Sequence, residues 1–397
     1  MEMTQCDYKI DLTATIDKKK MESFQEKKEY FKELNINMKT IAYKNNVVYH
    51  ILQYDKSFIN SDNISDLGLF RSVILDENFD VLSFAPPKSD TQESIDLSKG
   101  EHLKAEMFVE GTMINLFYEQ KNNEWIMATR STIGANVKFY LHSENTFREM
   151  FLETFNDYGI SFDDLDKKLN YSFILQHKGN KIVVPVEQNK IYLASCNEIS
   201  NNKITYIYNP ELLVKFPNLQ IPTYEWDKSS LEPLIDSYAS GGKTDYKVLG
   251  FVIKNVLTGS RYKNRNPQYE TVRKLRGNQA KDQYNYFALR HSGNIKDYLK
   301  YYPEDKKKFS LYRDLLHKST NNLYKLYQEC YIYKKAELKT YSPQYRTHMF
   351  KLHHEEYMIK LKPESKTMNM TSVIEYVNKL HPSILMHFVN YDLRKNN

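Results

Sequence analysis

Short runs in which apolar and polar residues alternate dominate the first two thirds of the chain. This period of two, with many β-branched and aromatic residues, is typical of β-strands that have one buried face. It predicts strands within residues 39–43, 47–54, 69–75, 80–84, 105–119, 124–131, 171–177, 181–186, 190–196 and 246–256. Residues 19–34, 144–157 and 229–239 have a helical pattern instead.

From about residue 267 the apolar spacing becomes that of amphipathic helices, most clearly at residues 304–332, 344–361 and 370–389. The change of period predicts an α+β fold class with two domains. We expect a mixed antiparallel body at residues 1–265, followed by a basic, all-helical C-terminal domain at residues 266–397.

Composition is that of a soluble globular protein, with 41% hydrophobic and 27% charged residues. No apolar run approaches the roughly 20 residues that span a bilayer, and the N-terminus lacks the apolar core of a secretory signal. We therefore expect a cytoplasmic protein that does not associate with membranes. Cys6, Cys196 and Cys330 are too dispersed for a disulfide framework or a zinc site.

Charge is unevenly distributed, since residues 251–397 hold 28 Lys and Arg against 13 Asp and Glu. Residues 1–250 hold 28 against 37. This asymmetry favours a C-terminal half that faces a polyanion, although solvated helix faces explain it equally well. Four cations interleaved with tyrosines are the candidate RNA-binding residues, and an interdomain connector is the alternative: Arg265, Arg273, Lys274 and Arg276.

Several segments between residues 65 and 275 occur in an order that points to one kind of enzyme. They lie at residues 70–76, 108–112, 128–131, 173–184, 249–254 and 261–263, the last followed by Tyr269. In this order and spacing the set resembles the motifs of nucleotidyltransferases, which comprise RNA ligases, DNA ligases and mRNA capping enzymes. The likeness is greatest to the phage-type RNA ligases, and it implies an ATP-grasp-like ligase body.

That resemblance implies a definite chemistry for an active member. A lysine attacks the α-phosphate of ATP and forms a covalent lysyl–NMP intermediate. Two carboxylates bind a divalent ion such as Mg²⁺ and the ribose hydroxyls. Cations of the last motif hold the α-phosphate and stabilise charge during transfer.

The sequence departs from the family at the positions that carry this chemistry. Phe108 stands in place of the nucleophilic lysine, and Ile174 and Leu249 stand in place of the two carboxylates. A phenyl ring cannot attack phosphorus. Replacing buried charges together by apolar groups costs less than leaving one of them unpaired. Lys104, four residues before Phe108, is the candidate for a displaced nucleophile.

Other positions of the motif set keep residues that suit a nucleotide. The resemblance implies nucleotide contacts for Glu110, Gly111, Arg130, Arg261 and Lys263. Turn chemistry at Glu110 and Gly111, with surface or paired cations elsewhere, is the alternative. We expect no metal site, because the spacing of the histidines at 348, 353 and 354 is poor for a shared ion.

Three functions are compatible with this pattern. The first is a catalytically inactive, RNA-ligase-like protein that binds RNA or acts as a scaffold and needs no cofactor. The second is an active but divergent ATP-dependent RNA ligase or nucleotidyltransferase that uses a displaced lysine, ATP and Mg²⁺. The third is a structural or interaction protein without nucleic-acid binding. The Tyr-, Asn- and Lys-rich composition looks like that of large DNA viruses, which would place the protein in the host cytoplasm or virion.

Overall fold

The computed structural model describes residues 8–16, 23–90, 95–139, 144–208, 211–279 and 281–392. The chain forms two compact units that divide between Thr271 and Val272. The sequence places the division between residues 265 and 266, just before the helix Pro267–Arg276, and the structural division falls inside that helix.

The first unit is built on three sheets in which every pair of neighbouring strands is antiparallel. Its strands are β1 (Lys9–Asp11), β2 (Ile36–Ala42), β3 (Val48–Tyr54), β4 (Val73–Leu75), β5 (Val81–Phe84), β6 (Leu103–Met107), β7 (Thr112–Glu119), β8 (Glu124–Ala128), β9 (Leu169–Gln176), β10 (Lys190–Ser200), β11 (Lys203–Tyr206), β12 (Thr223–Tyr224), β13 (Gly250–Asn255) and β14 (Arg261–Arg265). The strand orders are β1-β11-β10-β9-β7-β8, β12-β6-β13-β14 and β2-β3-β4-β5.

The helices of this unit are α1 (Phe24–Glu33), α2 (Phe147–Asp157), α3 (Glu211–Lys215), α4 (Glu232–Tyr238) and α5 (Pro267–Arg276), whose last residues belong to the second unit. Helices α1 to α4 pack on the sheets of this unit through their apolar residues, and α5 follows β14. A capping box begins α2, since the Thr146 hydroxyl accepts from the Glu149 amide and the Glu149 carboxylate accepts in return. Phe151 and Phe155 of α2 pack on Phe173 of β9. Residues 19–22 of the first predicted helix lie outside the described residues.

The second unit is helical. Its helices are α6 (Asp282–His291), α7 (Ile295–Tyr301), α8 (Lys306–Tyr327), α9 (Pro343–Lys351), α10 (Met370–Lys379) and α11 (Pro382–Val389). Two of them continue as π-helix, at Gln328–Ile332 and Leu352–Leu361. The helical pattern at residues 370–389 corresponds to two helices, because Pro382 begins a new helix after extended backbone at Leu380.

These two units confirm the predicted α+β class, with antiparallel sheets followed by a helical C-terminal region. None of the helices in the described ranges is long and apolar enough to cross a bilayer.

One predicted strand, at residues 181–186, is wrong. The chain leaves β9 at Gln176 and returns in β10 at Lys190, and the residues between belong to no sheet. The backbone N–H groups of Val183 and Val184 donate to the carboxylate of Glu110 instead of to a neighbouring strand. A β-branched run therefore becomes a loop that is held by a side chain.

Candidate functional site

The sheet β12-β6-β13-β14 brings three of the motif segments together. In β13, Lys254 lies between Lys104 of β6 and Arg261 of β14, and Val252 lies between Glu106 and Lys263. The next row consists of Phe108, Gly250 and Arg265, because the Phe108 amide donates to the Gly250 carbonyl at 3.2 Å and Gly250 pairs with Arg265. Alternate residues of a strand share a face, so these nine positions lie on one side of the sheet.

We call this side the cationic face, defined by Lys104, Lys254, Arg261, Lys263 and Arg265. Five of its nine positions carry a cation, and Glu106 carries the one acid among them. Such a surface attracts a polyanion.

Phe108 occupies the position that the resemblance assigns to the nucleophile. Its half-buried ring lies 5.5 Å from the guanidinium carbon of Arg265, across Gly250, which has no side chain to separate them. Arg265 also forms an ion pair with Glu270 at 2.8 Å. The nucleophile position is therefore taken up by a cation–π contact.

The two carboxylate positions are part of the apolar packing. Ile174 is 8% exposed and clusters with Val109 and Tyr192, and Leu249 is also 8% exposed. A Cβ on Gly111 would lie 2.6 Å from both the Ile174 Cγ2 atom and the Leu175 carbonyl oxygen. This close approach requires glycine and leaves no room beside Ile174.

Glu110, a predicted nucleotide contact, has structural partners for its carboxylate. One oxygen accepts the Val183 and Val184 amides, each at 3.1 Å. Burial raises the pKa of the Glu110 carboxyl, against hydrogen bonds from Tyr269 and the two amides, which lower it. Glu110 thus holds the loop between β9 and β10, and Tyr269 joins it from α5.

Lys263 lies at the most strongly cationic point of the face. Burial, followed by Lys88, Arg265, Arg71 and Arg261, lowers the pKa of its ammonium group to about 8. Its Nζ donates to the carbonyl of Ser89 at 3.3 Å. The charged groups with the largest influence on this lysine are all positive.

Two cations that sequence analysis did not place among the site residues come from outside the sheet. Lys88 belongs to a segment that bridges the edge of β14, where the Asp90 amide donates to the Arg261 carbonyl at 2.7 Å. Arg71 precedes β4, and burial and Arg261 lower the pKa of its guanidinium to about 10. The motif at residues 70–76 was the available signal for Arg71; no local pattern marks Lys88.

Arg130 is connected to the cations around Lys263 through Arg71. Its Nε donates to the Arg71 carbonyl at 3.3 Å, and its guanidinium lies 5.1 Å from the centre of the Tyr54 ring. The structure therefore places Arg130 beside the cation that interacts with Arg261.

The two lysines at the end of the cationic face away from Phe108 have partners within the protein. Lys254 is buried; its Nζ donates to the Tyr206 hydroxyl at 2.8 Å, and burial lowers its pKa. Lys104 pairs with Glu106 at 3.6 Å. These residues line a cavity of about 40 Å³, far smaller than the roughly 300 Å³ or more of a ligand pocket.

The remaining candidate RNA-binding residues differ in exposure. Lys274 is exposed and Arg273 is half-buried, both on α5. Arg276 is largely buried, pairs with Asp305 at 3.8 Å and packs on Tyr302. Arg276 therefore has a structural role in the second unit.

The histidine cluster is used in packing. His348 is buried against the Tyr376 hydroxyl, 2.9 Å from its Nδ1, and His353 stacks on Tyr331. Within the described ranges no group of three or more His, Cys, Asp or Glu side chains is arranged to hold a metal ion. Cys196 is buried and Cys330 half-buried, and Cys6 lies outside the described residues.

The chain has limited similarity to known proteins. No family model matches the chain. An "Immediate-early protein ICP-46 homolog" of Invertebrate iridescent virus 3 is 26% identical over 188 residues, which cover 46% of this chain and 38% of that protein.

Among solved structures, an archaeal ATP-dependent RNA ligase has a TM-score of 0.39 and 13% identity, covering 86% of this chain and 82% of its own. A Naegleria gruberi RNA ligase mutant with ATP and Mn has a TM-score of 0.36 and 10% identity, covering 60% and 77%.

Proposed function

We propose that the protein is a catalytically inactive, RNA-ligase-like protein that binds RNA. The observation that carries this proposal is the composition of the cationic face, where the phosphate-binding cations of the motif set are present around a phenylalanine in the nucleophile position. Ile174 and Leu249 support the loss of activity, since neither can bind a metal ion or a ribose hydroxyl. The 26% identical viral relative supports a viral setting, in the host cytoplasm or virion.

RNA binding follows from electrostatics in this proposal. Lysine and arginine side chains that contact phosphates displace condensed counterions, so the affinity falls linearly on a log–log plot against salt, with a slope of about −0.7 per neutralised phosphate of a single strand. On α5, the exposed Lys274 and the half-buried Arg273 are further candidates for phosphate contacts.

The test combines labelling with binding. The protein is incubated with α-labelled ATP or GTP and Mg²⁺ or Mn²⁺ and separated on a denaturing gel, and the affinity for a single-stranded RNA is measured over a salt series. We expect no covalent label and salt-sensitive binding that weakens and loses slope in the double variant Arg273→Ala, Lys274→Ala. The variant Lys247→Met, which removes one exposed lysine, is the control. A labelled band would refute inactivity, and absence of RNA binding would favour a protein-interaction role.

A divergent active ligase is the second candidate, and one observation favours it. An amine with a pKa of about 8, such as that of Lys263, is partly neutral near that pH and therefore nucleophilic. Lys104, the candidate for a displaced nucleophile, forms an ion pair with Glu106. If a label appears, its loss in Lys263→Arg but not in Lys104→Arg would identify Lys263 as the attacking group.

A further inference from the structure

Cations reach Lys263 from two directions. Arg261 and Arg265 flank it along β14, while Lys88 and Arg71 approach from the segments around β4 and β5. A backbone hydrogen bond holds the segment that carries Lys88 beside β14. The Lys263 amide donates, at 3.1 Å, to the carbonyl of Asp90, which lies two residues after Lys88. The site is therefore built by tertiary structure and not by one flexible run of basic residues.

The acids around this site are already engaged within the protein. One oxygen of the Glu110 carboxylate accepts two backbone amides, Glu106 faces Lys104, and Glu270 pairs with Arg265. Burial lowers the pKa of Lys88, and the carboxylate of Asp90 opposes this effect. A divalent ion such as Mg²⁺ needs several oxygen ligands that are free to coordinate it. The donor set of the described residues does not fit such an ion, although the ligase resemblance implies one.

We infer that the cationic face binds an oligophosphate directly through its lysine and arginine side chains, without a divalent metal ion. The ligand class is a chain of phosphates, either free as in a nucleoside triphosphate or at the 5′ end of an RNA. The inference rests on the proposed function in one respect only, namely whether the phosphate chain belongs to an RNA or to a free nucleotide.

The positive charges around Lys263 explain why phosphate binding needs no metal ion in this inference. In a metal-dependent site, the ion neutralises phosphate oxygens that would otherwise repel the protein's own carboxylates. Here apolar side chains stand at both carboxylate positions, and the cations around Lys263 supply the positive charge. Charge-assisted N–H···O bonds from ammonium and guanidinium groups are short and strong, and the guanidinium of Arg71 or Arg261 suits two phosphate oxygens at once.

The inference is tested by calorimetric titration of the full chain with sodium tripolyphosphate, in excess EDTA and separately in Mg²⁺. We expect binding in EDTA whose affinity is not increased by Mg²⁺. The variants Lys263→Met and Lys88→Met should each weaken it about tenfold, the loss of one charge-assisted contact, whereas Lys247→Met should leave it unchanged. Binding that requires Mg²⁺, no binding at all, or equal affinity in all three folded variants would overturn the inference.

Further titrations separate the two sources and the two proposals. Tighter binding of a 5′-triphosphorylated RNA than of ATP assigns the site to an RNA end, and the reverse order assigns it to a free nucleotide; either supports the inference. If RNA with a 5′-hydroxyl binds but tripolyphosphate does not, the inference fails while the proposed RNA binding stands. If tripolyphosphate binds without metal and no RNA binds, the proposed RNA binding fails instead.

Discussion

Lys263→Met should stabilise the folded protein when no ligand is present. The pKa of this lysine falls from its ordinary value of 10.5 to about 8 in the folded state. At about 1.36 kcal/mol for each pKa unit, that difference corresponds to roughly 3 kcal/mol of destabilisation by the charged form. Because the side chain is only half-buried, solvent screening reduces this to about 1–2 kcal/mol. Methionine keeps most of the aliphatic packing and removes the charge.

The effect has a defined pH dependence. Below pH 8 the lysine is protonated in both states, so the full destabilisation is present in the native protein. Between pH 8 and 10.5 the unfolded chain holds more protons than the folded one, and stability therefore rises with pH. The advantage of Lys263→Met should thus be largest at neutral pH and shrink towards pH 10.5.

Urea unfolding of the wild type and the variant at pH 7 and at high pH measures this difference. The exposed Lys247, substituted by Met, controls for the loss of one surface charge, and Lys263→Arg keeps the charge and should bring no stabilisation. A Lys263→Met protein that is less stable than the wild type at neutral pH would refute the reasoning, because the cation would then be stabilising the empty site.

Three further predictions concern the site and its support. Phe108→Lys alone should yield no nucleotide-labelled protein on a denaturing gel, since both carboxylate positions stay apolar, and a label would contradict this account. Gly111→Ala should lower the free energy of unfolding by about 1–3 kcal/mol, because its Cβ would lie 2.6 Å from a carbonyl oxygen of β9, whereas Gly242→Ala, with nothing within 4 Å, should not. Asn266→Ala should cost about 2–4 kcal/mol in chemical unfolding, since this buried amide donates to two backbone carbonyls at 2.8 and 2.9 Å, while the exposed Asn278→Ala should be neutral.

Strands and helices with a strong local period could be predicted from the sequence. The pattern at residues 47–54 and 171–177 reports one buried sheet face, and the strands Val48–Tyr54 and Leu169–Gln176 follow it closely. The loop at residues 181–186 could not be predicted in this way. Its β-branched residues favour a strand, and the group that overrides this preference, the Glu110 carboxylate, lies 73 residues away in the sequence.

The candidate site was predictable only where a motif marked it. The segments around Phe108, Leu249 and Arg261 are adjacent in one sheet, as their shared motif set implies. Lys88 carries no local signal, because its place beside Lys263 depends on how the segment after β5 crosses the edge of β14. Arg276 lies in a basic neighbourhood that suggests a ligand contact, and its ion pair with Asp305, 29 residues later, is a contact that no local pattern predicts.

The distribution of apolar and cationic side chains in this site bears on what it binds. Ile174 and Leu249, both 8% exposed, are apolar where an unpaired carboxylate would be costly to bury. Several cations nevertheless lie around Lys263, although burial and their mutual repulsion lower the pKa of that lysine and disfavour the empty state. An anionic ligand reverses the sign of this interaction, so the destabilisation of the empty site becomes affinity when phosphate is bound.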